Sequence, residues 1–291
     1  MTAPRIPWRL VGAAAVVLLA LVATAVAVVA PFRAPTDADW EGAARAVRAG
    51  FQPGDLIVAA PAWADPILRQ HLGDLIPAEM AGRLDDARYG RVWEVSQRGA
   101  RSPEGARGAV AFQERSGALT VRRIERAPEP VTFDFVARWG EARVSRRESR
   151  GTMIPCGYSA DRFQCPNLGF NYVRRQIVEV DTRLRMALLA QPVGNATVVV
   201  EFPRARVGRK LAVGTGLHNV WMRKEAQGPV DLRVFVGDAP VAAVTTRNQD
   251  GWKPTAIDTS AWAGRTVPVR FEITSPAPYA RHFAFAAEAR E

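Results

Sequence analysis

Lysine is nearly missing from this 291-residue chain. Of its 39 basic residues only Lys210, Lys224 and Lys253 are lysines, and the rest are arginines. So much arginine with so much alanine fits a GC-rich bacterial genome. Histidine is limited to His71, His218 and His282, far apart in the sequence. No Cys-x-x-Cys pair accompanies them, so the closely spaced ligand set of a zinc site is absent. There is no HExxH, no Walker loop and no Gly-x-Ser-x-Gly. The stretch Gly157-Tyr158-Ser159-Ala160-Asp161 lacks the last glycine of a nucleophile elbow. The stretch Gly214-Thr215-Gly216-Leu217-His218-Asn219 lacks the third glycine of a dinucleotide loop and any helix after it. These absences leave no catalytic residue, metal ligand or cofactor to name, and the chain reads as a binding protein more than an enzyme. Asp238, Asp250 and Asp258 could join a structural calcium site, but nothing supplies the six or more oxygens calcium takes.

Only two cysteines are present, Cys156 and Cys165, in PCGYSADRFQCP. An even count and close spacing read as one disulfide and so as an oxidising compartment. The net charge is +10. Basic clusters occur at Arg122-Arg123, Arg146-Arg147 and Arg204 to Lys210, and acids interrupt most of them, as in RRIER and RRESR. Interleaved signs describe a solvated surface and argue against nucleic acid. An anionic envelope, of lipid headgroups or acidic glycans, remains a diffuse partner.

Charge is wholly absent from Leu10 to Phe32, LVGAAAVVLLALVATAVAVVAPF. Its length exceeds the roughly 20 residues that span a bilayer, and Arg5 and Arg9 precede it. The run is also longer than a cleaved signal needs. It is expected to be an uncleaved single-pass anchor in a bacterial inner membrane, with the bulk of the chain periplasmic or otherwise extracytoplasmic.

After that run, Thr36 and Asp39 form a capping-box pattern ahead of a helix over about 39–49, with Trp40, Ala43, Ala44 and Val47 at helical spacing. Gln52-Pro53-Gly54-Asp55 is a turn, and Leu56 to Ala60 is a continuous apolar run that suits a buried parallel strand. Helices are expected over Trp63 to Leu72 and near Pro77 to Arg88, with strands at Arg91 to Val95 and Leu119 to Ile124. Residues 98–117, rich in Gly, Arg and Ser, read as loop. The prolines of Ala127-Pro128-Glu129-Pro130 mark a boundary. From Val131 onward, short alternating runs recur between Gly, Pro, Asn and Asp, the texture of an antiparallel sandwich or barrel. Gly237-Asp238-Ala239-Pro240 reads as a hairpin connection. The expected architecture is α+β overall: an anchor over 1–33, a small α/β domain over 34–127 and an all-β jelly-roll-like sandwich over 128–291.

Two resemblances follow. PGDLIVAAPAW and RVWEVSQR, within residues 39–100, resemble the soluble end of protein mannosyltransferases and lipid A aminoarabinose transferases. Those enzymes keep their catalytic acids between membrane helices that this chain does not contain, so the resemblance implies the outer module without the chemistry. VDLRVFVGDAPVAAVTT, GWKPTAIDTSAWAGRTVPVRFEITS and RHFAFAAEA, within residues 200–290, resemble the jelly roll of galactose-binding-like domains, which implies a fold more than a ligand.

A sugar site would use flat aromatic faces with polar neighbours. Trp262 is the first candidate, because Asp258-Thr259-Ser260-Ala261 precedes it; Trp252, Trp221 and Tyr279 follow. Core packing is the competing fate of each ring. The expected function is a membrane-anchored, extracytoplasmic protein whose sandwich binds a glycan or an envelope protein. The alternative is an accessory or split subunit of a membrane glycosyltransferase. The predicted partners are therefore the membrane through Leu10 to Phe32, a glycan or envelope protein, and such a transferase.

Overall fold

The computed structural model describes residues 8–29, 34–166, 172–218, 228–278 and 281–291. The chain divides into two compact units, one from 1–73 with 91–126 and one from 74–90 with 127–291.

The first unit begins with helix α1, Trp8–Val29. The expected membrane crossing at Leu10 to Phe32 is corrected here: no helix among the described residues is long and apolar enough to cross a membrane.

Helix α2 runs over Asp37–Gly50. Thr36 accepts from the Asp39 backbone N–H at 3.3 Å, and the Asp39 carboxylate accepts from Thr36 N–H at 3.0 Å, so the capping box closes both ways. Its buried face, Trp40, Ala43, Ala44, Ala46 and Val47, packs in the core of this unit. Strand β1, Leu56–Ala60, is buried throughout and pairs in parallel with β2, Arg91–Gln97. Between them lies α3, Asp65–Leu72. Strand β3, Ala109–Ser116, and β4, Leu119–Glu125, complete a four-stranded sheet in the order β1-β2-β4-β3. Strand β3 falls where the sequence reads as loop. It is a mostly exposed edge strand, so it carries no apolar alternation to announce it.

The two short motifs at 53–55 and 91–93 meet in this unit. The Asp55 carboxylate is buried and accepts from the indole N–H of Trp93 at 2.8 Å and from Gln52 N–H at 2.9 Å, with Arg91 at 3.3 Å. One acid thus ties the turn before β1 to the neighbouring strand β2.

The second unit opens with 74–90. Its helix α4 covers only Ala78–Ala81, not the longer span expected to Arg88. Gly82 is its C-cap, and a Cβ there would collide with the backbone of Arg185 and Met186. The chain then runs flat: Gly82 C=O accepts from Met186 N–H at 2.6 Å, and Leu84 is buried in the hydrophobic core.

The remainder is strand. In chain order these are β5 (Val131–Asp134), β6 (Arg143–Glu148), β7 (Met153–Pro155), β8 (Gly157–Ser159), β9 (Arg162–Gln164), β10 (Tyr172–Val180) and β11 (Arg183–Ala190). There follow β12 (Ala196–Arg206), β13 (Lys210–Leu217), β14 (Val230–Val236), β15 (Ala239–Thr246), β16 (Lys253–Asp258), β17 (Thr266–Thr274) and β18 (Phe283–Arg290). They form a β-sandwich. One sheet has eight strands, β16-β13-β18-β11-β10-β9-β8, with β5 also on β18; the other has six, β15-β14-β17-β12-β6-β7. All their pairings are antiparallel. The fold is therefore mostly sandwich, and the expected fold class is corrected on that point as well as on the membrane helix.

Phenylalanines fill the space between the sheets. Phe135 meets Phe202 at 5.0 Å and Phe271 at 5.2 Å, and Phe271 meets Phe285 at 5.0 Å, all fully buried. The two edge-to-face pairs, Phe135 with Phe202 and with Phe271, add roughly 0.5–1.5 kcal/mol each beyond area burial. Cys156 and Cys165 form the expected disulfide, closing the β8–β9 hairpin. Gly237, with φ of +59°, turns the β14–β15 hairpin as its Gly-Asp sequence predicts.

Two outcomes are expected. Asp55→Ala removes a buried acceptor from three donors and should cost about 2–3 kcal/mol in urea unfolding followed by tryptophan fluorescence. Reducing the Cys156–Cys165 bridge should lower the stability of the sandwich by about 2–3 kcal/mol, the loop-closure value for so short a loop, with non-reduced peptide mapping as the check on the bridge itself.

Candidate functional site

The alternation of β12 sends Val198, Val200 and Phe202 into the core and Thr197, Val199 and Glu201 to the outer face of the six-stranded sheet. Register then assembles that outer face. Val199 lies between Ser145 on β6 and Glu272 on β17, and Glu201 lies between Arg143 and Arg270. On the far side, Phe235 and Arg233 of β14 pair with Arg270 and Glu272. On the near side, Met153 and Pro155 of β7 pair with Arg147 and Ser145.

Glu272 is the anchor of this surface and is 3% exposed. Arg147 forks onto it with Nη1 and Nη2 at 2.8 and 2.7 Å, and Arg270 Nε donates at 3.0 Å. Burial alone would raise the Glu272 pKa, but the two guanidinium groups outweigh it and hold the carboxyl below its ordinary range. Glu272 in turn raises the Arg147 pKa through the fork. The Arg270 guanidinium also lies 4.4 Å from the centre of the Phe235 ring, a cation–π contact that fixes its plane. Above this anchored floor is an open groove of about 540 Å³, lined by Arg143, Ser145, Met153, Glu201, Arg147 and Arg270, with Val199 beneath.

The outer face of the eight-stranded sheet is different, because residues 74–90 cover part of it. Arg290, 1% exposed, donates to Asp85 at 2.8 and 3.0 Å, to Glu129 at 3.0 Å and to Glu288 at 2.6 and 2.9 Å. Arg88 joins Glu288 and Asp134, each at 3.0 Å. Burial pushes the Glu288 carboxyl up despite its two arginines. The cleft left here, beside Glu79, Arg88 and Arg175, is about 40 Å³, room for two or three waters and not for a sugar ring.

The aromatic candidates are placed as follows. Trp262 sits in the 3-10 turn Ser260–Trp262, half-buried and packed against the sandwich core. The acid offered as its polar neighbour is engaged locally: Asp258 accepts from Ser260 N–H at 2.9 Å and from its hydroxyl at 2.5 Å, which lowers the Asp258 pKa. Trp252 is half-buried, with its indole laid over Gly214 and Gly216 in mid-strand β13 and the Arg185 guanidinium 5.1 Å from its ring. A side chain at Gly214 would collide with that ring and one at Gly216 would crowd it and Val180, which accounts for Gly-Thr-Gly without any nucleotide. Trp221 and Tyr279 lie outside the described residues. Among the described residues, Asp238, Asp250 and Asp258 do not come together, and no group of three or more His, Cys, Asp or Glu side chains could hold a metal. His218 and His282 stack at 6.4 Å, and burial, with the His218 charge, lowers the His282 pKa.

Sequence reasoning passed over the groove residues. The alternation in Arg143-Val144-Ser145-Arg146-Arg147 and Val198 to Phe202 puts the right side chains outward, but the register joining Arg147 to Glu272 spans 125 positions.

No family model matches the chain, and no curated protein sequence matches it. Among solved structures, CBM51 from Clostridium perfringens GH95, in complex with methyl-galactose, is 9% identical over 40% of this chain and 81% of that one, with a TM-score of 0.30. The CBM51-2 and INT domains from Clostridium perfringens ZmpB are 10% identical over 52% of this chain and 41% of that one, at 0.32. TmCBM27, a carbohydrate-binding module studied for mannan recognition, is 9% identical over 64% of this chain and 99% of that one, at 0.28. At scores of this size the neighbours' ligands stay with the neighbours. None of these is a mannosyltransferase or aminoarabinose transferase, so that resemblance gains no support.

Glu272 predicts a pH dependence. Its folded pKa lies below its unfolded one, so the stability it contributes is complete above the unfolded value and is lost as pH falls through the folded one. Glu288, with a raised pKa, works in the opposite sense. Stability of the wild type should therefore fall more steeply with acidification below about pH 4.5 than that of Glu272→Gln, read as the difference between their thermal midpoints across pH 3–7.

Proposed function

We propose that the sandwich recognises a glycan, without chemically altering it, in the groove on the outer face of the six-stranded sheet. The observation that carries the reading is the pairing of an open groove of about 540 Å³ with polar side chains already fixed by Glu272. Sugar hydroxyls donate and accept in adjacent pairs, and planar guanidinium and carboxylate groups meet them two at a time. Glu201, Ser145 and the outward edges of Arg147 and Arg270 offer that array, while Met153 and Pro155 offer apolar area to a ring's C–H face. Arg147 and Arg270 are held in place before any ligand arrives, so little side-chain entropy remains to be lost on binding.

Binding is favoured over hydrolysis by the state of the acids. Glu272 has both oxygens committed to arginines and is held ionised, so it is not a proton donor of the kind glycoside cleavage needs. The disulfide supports an oxidising, extracytoplasmic setting.

The test is a glycan array with the full chain, followed by titration of any hit against Glu201→Gln, Arg270→Ala and Trp262→Ala. Groove recognition predicts that Glu201→Gln and Arg270→Ala weaken binding about tenfold or more, as truncation of buried-edge polar contacts does, with the thermal midpoint little changed in Glu201→Gln. Trp262→Ala should lower the midpoint and leave affinity per folded molecule intact. Loss of binding only in Trp262→Ala, at unchanged stability, would move the site to the loop end. No glycan retained by the wild type would leave an envelope protein as the ligand.

A further inference from the structure

A second surface lies at one end of the sandwich, around a cavity that shares no lining residue with the groove. Strand β12 bulges between Phe202 and Ala205, and this slip turns Arg204 and Arg206 outward while Ala205 and Val207 are buried. The connector that follows is pinned to the turn before β17. Gly264 N–H donates to Val207 C=O at 2.8 Å, Val207 N–H donates to Arg265 C=O at 2.9 Å, and Thr259 N–H donates to Arg209 C=O at 2.8 Å. Gly208 packs so closely on the Arg290 carbonyl that no side chain fits there. Arg204, Arg206, Arg209 and Arg265 are all exposed, and none has an acidic partner among the described residues. Arg206 and Arg209, with Thr132, Gly208, Ala263 and Gly264, line an open cavity of about 450 Å³.

The acids in the neighbourhood are few. Glu291 lines the cavity, Asp258 is bonded to Ser260, and Glu129 is taken by Lys210 and Arg290. Arg206 and Arg209 line one cavity, so they repel one another in the absence of a ligand, and an oxyanion relieves that repulsion. Guanidinium groups match phosphate, sulfate and carboxylate oxygens two at a time.

We infer that this arginine-rich end binds a soluble polyanionic glycan, one anionic group seating between Arg206 and Arg209 and neighbouring groups meeting Arg204 and Arg265. A lipid surface is disfavoured by the lining itself, which holds no large apolar side chain to enter a bilayer. The cavity shares no lining residue with the groove, so the inference is tested independently of the reading above.

The test uses the full chain and a sulfated polysaccharide, heparin, as the probe, with titrations at several salt concentrations. The fourfold variant Arg204→Ala, Arg206→Ala, Arg209→Ala and Arg265→Ala is set against a control of equal charge, Arg98→Ala, Arg150→Ala, Arg183→Ala and Arg247→Ala. Expected is a loss of about tenfold or more in affinity and a shallower salt dependence for the first variant, against about twofold or less for the control. The double variant Arg206→Gln, Arg209→Gln, which keeps most of the packing, should show an intermediate loss. Equal losses in both fourfold variants would reduce the effect to net charge and overturn the site, as would no loss in either. Retention by phosphatidylglycerol vesicles that exceeds retention by heparin and depends on the same four arginines would overturn the soluble glycan in favour of a membrane.

Discussion

The two sheets of the sandwich are locked by phenylalanines that reach across from both sides. Phe202 and Phe271 belong to the six-stranded sheet, Phe285 to the eight-stranded one, and Phe135, just beyond β5, sits edge-on to Phe202 and Phe271. Because interiors are close-packed, this interlock fixes the strands against sliding. A slip of one residue would turn every inward ring outward. The groove depends on the same constraint: Val200 and Phe271 are in register in the core, so Val199 and Glu272 are in register outside it.

Each sheet has one outer face, and the chain treats them unequally. On the eight-stranded sheet, buried charges are satisfied internally: Arg290 is surrounded by Asp85, Glu129 and Glu288. Such a network resists removal of any one member more than it adds net stability. On the outer face of the six-stranded sheet Glu272 is buried and saturated, while Arg143 and Glu201 border an open groove. That inequality makes the six-stranded sheet the place to seek a ligand.

How much of this was legible in the sequence follows from the range of each signal. Local chemistry was readable. The Thr36–Asp39 capping box, the buried parallel run at 56–60, the Gly237 hairpin and the Cys156–Cys165 bridge each rest on residues within ten positions of one another. The recurring short strands announced a sandwich for the same reason. The PGD and RVW motifs were visible as motifs, and the structure supplies their physical sense in the Asp55–Trp93 bond, which needs no transferase. What was not readable depends on partners far along the chain. Leu10 to Phe32 has the composition of a spanning segment, yet no described helix has the length and apolarity to be one. Glycine is needed at position 82 only because the backbone of Arg185 and Met186 passes there. The seat of the Trp252 ring over Gly214 and Gly216 likewise joins residues far apart in the chain.

The segment 74–90 has a consequence for how this protein can be divided. It lies between α3 and β2 in the sequence, both of which belong to the first unit, yet it is folded into the sandwich. The polypeptide therefore passes between the units three times, at about residues 73, 90 and 126. A gene fragment beginning at Ala127 would encode all the sandwich strands but leave Arg290 without Asp85, Glu288 without Arg88, and the core without Leu84. Recombination that moved the sandwich to another protein as one continuous piece would carry the same defect, so the two units are expected to travel through evolution together.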